Sequence, residues 1–324
     1  MSNASSIQAE IILGSISPDF IPIYTIRLRY PRIIHAELMT HRVFSRNARS
    51  SRAVPVAKMI QEVEEQPFIP WHWGKNQRGM QADEECDEIV SLDNGIYDFN
   101  REDAWLWARN KAVEAAKGFN EAGYHKQLVN RILEPFTWID VLVTATDWSN
   151  FLWLRDHEAA EPHIRDLALA IDKAINSYQL ETLSPYQWHL PYVTDAEHHQ
   201  HSFRTLLKIS SARCARISYS PFDAKEPDAI KDIQLYNKLI SDDRLHASPM
   251  EHQAVPDILV PVQAEILHSG STPPESVSPL NQWIYQKFHG NFDGWIQHRK
   301  LLEGERHGRQ ALNNFLRETP PITL

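Results

Sequence analysis

The 324-residue sequence predicts an α/β protein, because stretches with the two-residue period of strands and the 3.6-residue period of helices are interspersed along it. Residues 21–30 alternate apolar and basic side chains, as strands often do, and residues 137–144 form a second predicted strand. Residues 101–122 and 228–242 have helical spacing. Pro162 can begin another helix, whose predicted core face is Ile164, Leu167, Ala168, Ile171, Ala174 and Ile175.

The residues that follow the two predicted strands give local expectations. Pro31 can be the first residue of a short helix, and its apolar stripe ends near His41. The polar run after Phe44 predicts a loop. After the second strand, Thr146 or Asp147 is expected to cap a helix.

Composition is that of a water-soluble globular chain, and we expect a single catalytic domain over residues 1–324. Hydrophobic residues make up 42 %, and no apolar run approaches the roughly 20 residues that span a bilayer. The first residues lack the features of a secretory signal, so a cytoplasmic location is expected. Cys86 and Cys214 are too few for a disulfide framework, and acids flank Cys86, so neither is expected to be a nucleophile.

A basic stretch stands out in this acidic chain, whose net charge is -9. Residues 25–60 contain eight Arg or Lys residues and one acid, Glu37. Arginine forks bind phosphate oxygens in a bidentate way, and hydroxyls can complete such a site. A phosphorylated small molecule is therefore the first candidate ligand, and a solvated basic surface is the alternative.

The amino-acid sequence of residues 40–53 resembles the signature of the flavin-dependent thymidylate synthases, Arg-His-Arg-x-x-Ser-x-Asn-Glu-x-Ser-x-Arg-Tyr. Three positions depart from it, because Thr40, Ala48 and Ala53 stand where the family has Arg, Glu and Tyr. The matching positions are His41, Arg42, Ser45, Asn47, Ser50 and Arg52.

Two further segments resemble this family in an unexpected order. Residues 127–136 and 147–155 are similar to its C-terminal half, whereas residues 212–218 and 246–252 are similar to its N-terminal part but come last here. The resemblance therefore implies the family's fold, a mixed or antiparallel sheet with packed helices, in a circularly permuted chain. We expect residues 61–123 to be an insertion and residues 179–209 to be the linker between the permuted halves.

The resemblance also implies roles for individual residues. Arg155 is the expected catalytic residue, because the family has an arginine here that contacts the uracil edge; a salt bridge with Asp156 or Glu158 is the alternative. For Asn150 the alternative to a ligand contact is a polar residue on a helix, and for Ser248 it is a helix start. Trp138 replaces a phosphate-side arginine. The expected substrate-binding residues are Glu37, Ser50, Arg52 and Arg155. The expected cofactor-binding residues are His41, Arg42, Ser45, Asn47, Asn150, Ser218, His246, Ser248 and Glu251.

The implied activity is transfer of a one-carbon unit from methylenetetrahydrofolate to carbon 5 of a pyrimidine deoxynucleotide monophosphate. FAD is the implied cofactor, NADPH the reductant and a homotetramer the assembly. No Gly-x-Gly occurs, so side chains must hold a dinucleotide. Glu37 replaces a Gln near the base and accepts where Gln could donate, so methylation of a cytidylate or hydroxymethylation is one alternative.

A different class of function is a non-catalytic nucleotide-binding or nucleic-acid-binding protein, against which the net negative charge argues. No metal is expected. His198, His199 and His201 lack partners at a suitable spacing and are more typical of a surface linker. Residues 294–300 faintly resemble the stretch around His41, and coincidence is the simpler interpretation of that echo.

Overall fold

The computed structural model describes residues 7–82, 84–218, 228–241, 245–261, 281–302 and 305. The helices are α1 His35–Leu38, α2 Val56–Glu65, α3 Arg101–Glu121, α4 Lys126–Ile132, α5 Ser149–Arg155, α6 Pro162–Ser177, α7 Asp195–Gln200, α8 Phe203–Arg216 and α9 Ala229–Ser241. The strands are β1 Gln8–Ile16, β2 Pro22–Pro31, β3 Ser45–Ala48, β4 Val90–Leu92, β5 Tyr97–Phe99, β6 Trp138–Ala145, β7 Glu181–Thr182, β8 Ala254–Pro256, β9 Leu259–Pro261, β10 Asn281–Trp283 and β11 Trp295–Gln297.

The central sheet has five strands in the order β3-β6-β2-β1-β7. β2 and β6 are the two strands that the sequence predicts, and they pair in antiparallel register with Thr25 opposite Thr144. β1 is antiparallel to β2 and β3 is antiparallel to β6, whereas β7 runs parallel to β1. The predicted α/β class with a mixed sheet is therefore confirmed.

One face of the sheet is apolar, because alternate residues of β2 and β6 point to it. Tyr24, Ile26, Leu28 and Tyr30 of β2 lie there and are almost fully buried. α5 and α6 cover this face. The predicted core face of α6 is confirmed for the residues that are buried in it, Ile164, Leu167, Ala168 and Ile171.

The opposite face is covered by the C-terminal part of the chain. Leu142 of β6 packs against Cys214 at the end of α8. Next to this contact the sheet contributes the hydroxyls of Thr25 and Thr144, which lie 2.7 Å apart. The Thr25 hydroxyl is hydrogen-bonded to His189 Nε2 at 2.8 Å, and the Thr144 hydroxyl is hydrogen-bonded to His252 Nδ1 at 2.8 Å. A buried polar chain thus joins the N-terminal strands to the later segments.

The predicted insertion, residues 61–123, begins inside α2 and contains the β4–β5 hairpin and α3. The helical spacing of residues 101–122 is confirmed by α3, whose N-cap Asn100 accepts the Asp103 amide. One buried apolar cluster unites α2, α3 and α4. α9 confirms the helical pattern of residues 228–241, while residue 242 lies outside the described residues.

Several local expectations are wrong in detail. Residues 45–48 form the edge strand β3 and not a loop, because the buried Ser45 and Asn47 alternate with half-buried neighbours; their polar side chains hid the two-residue period. Pro31 ends β2 and caps a 3-10 helix, Arg32–Ile34, that precedes α1. Trp148 occupies the N-cap of α5, although the Asp147 carboxylate accepts the Ser149 amide at 2.8 Å.

The predicted linker and the predicted echo also have more structure than the sequence indicates. Residues 179–209 contain β7, α7 and the start of α8. Residues 294–300 run from β11 into the 3-10 helix His298–Leu301, whereas His41 follows α1. The two stretches therefore differ in backbone structure.

Candidate functional site

The candidate site begins at the end of β2, where the chain turns through the 3-10 helix and α1. Ile34 and Leu38 are buried and anchor this turn, so that Glu37 is left half-exposed beside them. Thr40 continues it by donating its hydroxyl to the Glu37 carbonyl at 2.7 Å. His41 then enters an aromatic pocket, with its ring 4.9 Å from that of Phe151 on α5.

Arg155 ends α5 and meets these groups from the other side. Its Nε donates to His41 Nε2 at 3.1 Å. One terminal nitrogen lies 3.4 Å from the Glu37 carboxylate and the other 3.4 Å from the Thr40 hydroxyl. The partner is neither Asp156 nor Glu158, the two that the sequence suggested; Asp156 lies instead 3.9 Å from Arg165. We call Glu37, Thr40, His41 and Arg155 the Arg155 cluster.

The charge states in the Arg155 cluster follow from burial and neighbours. Burial lowers the pKa of His41, and the positive charges of Arg155 and Arg46 lower it further. His41 is thus neutral at pH 7, and its Nε2 can accept the hydrogen bond from Arg155 Nε. Burial raises the pKa of Glu37, the Glu161 carboxylate raises it further, and Arg155 opposes the shift.

Glu161 was missed by the sequence analysis, although Pro162, as the first residue of the predicted helix, places Glu161 at its N-cap. Its carboxylate accepts the Ile164 amide at 2.9 Å and contacts His163 Nδ1. Burial raises the pKa of Glu161, but the bonds from His163 and the backbone outweigh it and lower the pKa overall. Two nearby carboxyl groups are therefore driven to different pKa values.

β3 brings two predicted cofactor residues against the C-terminal part of the chain. Asn47 donates to the Cys214 carbonyl at 3.3 Å, and Ser45 is held by Asn291 and Gln297 at 3.1 Å each. Both side chains are buried. Through these hydrogen bonds β3 is connected to the end of α8 and to residues 291–297.

The loop after β3 is braced while its tip faces outward. Asn130 of α4 donates to the carbonyls of Ser51 and Val54 at 2.7 and 2.9 Å. Arg49 makes a bidentate pair with Glu62 at 2.8 and 2.9 Å. The Ser50 amide donates to the Ser218 carbonyl at 3.2 Å, which places Ser218 beside this loop.

The circular permutation that the resemblance implies predicts that residues 246–252 pack against residues 41–52, and the segment does lie beside β3. The segment forms the 3-10 helix Ser248–Glu251, which confirms the helix start at Ser248. His246 and Ser248 are exposed, whereas the Glu251 carboxylate binds Arg299. Arg46 of β3 lies close enough to Glu251 for their charges to interact.

Three predicted residues have side chains that point to solvent. Arg42 and Arg52 are exposed, and neither has a carboxylate partner among the residues that the structure describes. Asn150 is exposed on α5, one turn before Arg155. Trp138, by contrast, is buried in an aromatic cluster with Phe68.

Other residue types add little to the site. Burial raises the pKa of the Cys214 thiol, which disfavours a thiolate there. In the described part of the chain, no group of three or more His, Cys, Asp or Glu residues could hold a metal ion. No described helix is long and apolar enough to cross a membrane.

The motif segments that meet at Arg155 also match a protein family. The model of the thymidylate synthase complementing protein family matches residues 13–178, just over half of the chain. The chain belongs to this family. Membership supports an enzyme of the thymidylate synthase kind that acts on a nucleotide. The match includes residues 61–123 and ends where the predicted linker begins.

Solved structures give more distant similarities. A flavin-dependent thymidylate synthase from Helicobacter pylori, complexed with FAD and dUMP, is 20% identical over 47% of this chain and 67% of its own, with a TM-score of 0.31. The UMP/dUMP methylase PolB from Streptomyces cacaoi, bound with 5-Br UMP, is 15% identical over 53% of this chain and 89% of its own, with a TM-score of 0.39. No curated protein matches the chain.

Proposed function

We propose that the protein transfers a one-carbon unit from methylenetetrahydrofolate to carbon 5 of deoxyuridylate, with FAD as cofactor and NADPH as reductant. The hydrogen bond from Arg155 to His41 carries this proposal, since it joins two motif segments that are 114 residues apart. Family membership supports the same chemistry.

The donor set fits a flavin dinucleotide. The pyrophosphate needs positive charge, and the exposed guanidiniums of Arg42 and Arg52 are not neutralised by carboxylates among the described residues. Asn150 and Ser248 offer exposed hydrogen-bonding groups. We infer that His41, Arg42, Asn150 and Ser248 hold the flavin, which supplies the reducing equivalents. Ser45, Asn47, Ser218, His246 and Glu251 would shape the same site.

Arg155 would activate the base. Neutral His41 fixes the guanidinium through its Nε, which leaves the two terminal nitrogens directed at Glu37 and Thr40. A pyrimidine placed at this edge would meet a fixed positive charge. That charge stabilises negative charge on the ring oxygens and so makes carbon 5 more nucleophilic toward the one-carbon unit.

Ser50 and Arg52 would bind the nucleotide phosphate. Their loop is braced by Asn130 and by the Arg49–Glu62 pair, so it needs little ordering when an anion binds. Among the described residues no carboxylate pairs with Arg52, so its guanidinium can form a bidentate contact with phosphate oxygens.

The test begins with flavin. Purified protein should be yellow or should take up FAD in a fluorescence-quenching titration, and it should convert deoxyuridylate to a product of thymidylate mass with methylenetetrahydrofolate and NADPH. Arg42→Ala should release the flavin. Arg204→Ala, at an exposed arginine of α8, is the matched control and should bind normally. A colourless protein that takes up no FAD would contradict the proposal.

A second candidate substrate is deoxycytidylate, because two carboxyl groups influence the base edge of the site. Glu37 is an acceptor opposite the donor Arg155, and the charge of Glu161 disfavours a second acceptor there. The exocyclic amine of cytosine donates where uracil O4 accepts. Parallel assays with both nucleotides, read by product mass, decide between them, with Glu161→Gln expected to shift the preference toward uridylate.

We also propose that the protein assembles as a homotetramer. Apolar side chains stand exposed near the Arg155 cluster: Trp153 and Leu154 on α5 are 76% and 43% exposed. Met39 and Val43 beside His41 are 44% and 43% exposed. Such groups commonly mark subunit contacts. Light scattering coupled to size-exclusion chromatography gives the molar mass, and a monomer at micromolar concentration would contradict the assembly.

A further inference from the structure

The segment of residues 286–302 contacts both β3 and residues 246–252, which carry predicted cofactor-binding residues, although the sequence motifs do not include this segment. Asn291 donates its amide to the Val43 carbonyl at 2.7 Å and accepts the Ser45 hydroxyl at 3.1 Å. Gln297 donates to the same hydroxyl at 3.1 Å and lies 3.4 Å from the Glu251 carbonyl. This segment therefore binds the β3 side and the 246–252 side at once.

The segment is itself firmly anchored. His289 pairs with the fully buried carboxylate of Asp257 at 2.8 Å, and that carboxylate also accepts the Tyr285 amide. Gly290 has a φ of +66°, and a Cβ there would lie 2.7 Å from Gln297 Oε1. Glycine thus permits the close approach that holds Gln297 in place.

Arg299 adds a charge to this arrangement. Its guanidinium binds the carboxylates of Glu251 and Glu305, with Glu305 Oε1 at 2.6 Å from its Nε. Glu251 also interacts electrostatically with Arg46, whose one hydrogen bond among the described residues goes to the Leu38 carbonyl at 3.2 Å. Of the two arginines whose charges act on Glu251, Arg299 is the one that contacts its carboxylate.

We propose that Arg299 is a positioning residue of the cofactor site: by holding the Glu251 carboxylate, it keeps the Arg46 guanidinium available for an anionic group of the cofactor. Asn291 and Gln297 complete the arrangement by fixing the strand that carries Arg46. Without Arg299, Glu251 would turn to Arg46 and neutralise it. This inference rests on the proposed binding of FAD.

The test measures the FAD dissociation constant of the full-length protein by fluorescence quenching. Arg299→Gln should weaken binding by about tenfold or more, as expected for one lost charge-assisted contact, and Arg299→Lys should restore most of it. Arg101→Gln is the matched control, because Arg101 also pairs with two carboxylates, Glu85 and Asp87, at similar exposure. It should leave the affinity unchanged.

A double-mutant cycle separates positioning from direct contact. In a Glu251→Gln protein, which lacks the carboxylate proposed to turn to Arg46, Arg299→Gln should change the FAD affinity less than about twofold. Arg46→Gln should weaken binding and reduce its salt dependence in either background. An undiminished loss in the Glu251→Gln protein would show that Arg299 contacts the cofactor directly and would overturn the proposal.

The remaining outcomes are also informative. Equal affinity of wild type and Arg299→Gln would overturn the positioning role while the proposed function stands. A lower melting temperature with unchanged affinity of the folded fraction would reduce Arg299 to a structural role and overturn it as well. Wild-type protein that does not bind FAD would instead overturn the proposed function, and this inference with it.

Discussion

Two arginines on helices, Arg155 and Arg213, are satisfied in different ways. Arg213 on α8 is 5% exposed and binds the carboxylates of Glu197 and Asp232 as well as the Tyr192 carbonyl. Arg155 on α5 is 21% exposed and has a neutral imidazole at 3.1 Å and longer contacts to a carboxylate and a hydroxyl. The first is paired with two carboxylates, whereas the second has one long carboxylate contact, and the proposed function assigns its positive charge to the nucleotide base.

The difference separates structural charge from functional charge. A buried arginine with two carboxylates holds α7, α8 and α9 together, and its removal leaves Asp232 with Arg216 alone and Glu197 with the hydrogen bonds from Thr194. Arg155 has a weaker hold on its surroundings, so its removal should affect chemistry more than folding. The predictions below test this division.

The largest expected effect is on stability. Arg213→Ala leaves the buried Glu197 and Asp232 carboxylates with fewer partners and should lower the free energy of unfolding by about 3 to 5 kcal/mol. Urea unfolding followed by circular dichroism measures it. Arg204→Ala on the same helix is the control and should change stability little. Equal stability of both variants would remove Arg213 from its structural role.

The next effect is on turnover. Arg155→Lys keeps the charge but loses the planar fork and the His41 contact, so it should cost about 2 to 4 kcal/mol in transition-state stabilisation. The melting temperature should stay nearly unchanged. Steady-state kinetics with the nucleotide that reacts provide kcat and KM. Full activity of this variant would exclude Arg155 from the mechanism.

Acid should destabilise a third buried region, the polar chain in which His189 contacts Thr25 and His252 contacts Thr144. Burial lowers the pKa of His189 and His252 to about 3, whereas these groups protonate near 6.5 in the unfolded chain. Their neutral forms therefore stabilise the fold fully above pH 6.5, and this stability is lost as the pH falls toward 3. Each should contribute a slope of about 1.4 kcal/mol per pH unit within that window.

Unfolding free energies measured between pH 7.5 and 4.5 test this slope. His252→Gln should lower this slope by about 1.4 kcal/mol per pH unit, which is the contribution of one proton. His199→Gln, at an exposed histidine of α7, should not change it. The same slope in both variants would show that His252 does not stay neutral in the fold.

The smallest expected effect is on the stability contributed by Glu37. Its contact with Arg155 is long and partly exposed, so Glu37→Gln should change the free energy of unfolding by less than about 1 kcal/mol. The ratio of activities on deoxyuridylate and deoxycytidylate should change more. A large loss of stability would place Glu37 with the structural charges.

The fold class and several elements could be predicted from the sequence because they depend on local periodicity. β2, β6, α3, α6 and α9 have apolar residues at regular spacing, and Pro162 marks a helix start. β3 could not be predicted in this way, since the side chains that it buries are the polar Ser45 and Asn47. Their burial is explained only by partners from residues 214, 291 and 297.

The candidate site divides in the same manner. By itself the sequence determined which residues belong to the motifs, because His41, Arg42, Ser50, Arg52 and Arg155 are recognised by type and spacing. Only the tertiary structure decided which charges are free. Glu161, Arg46 and Arg299 gain their roles from neighbours that are distant in the chain, and electrostatic interactions depend on distance in space. Spacing along the sequence carries no record of those distances until the chain is folded.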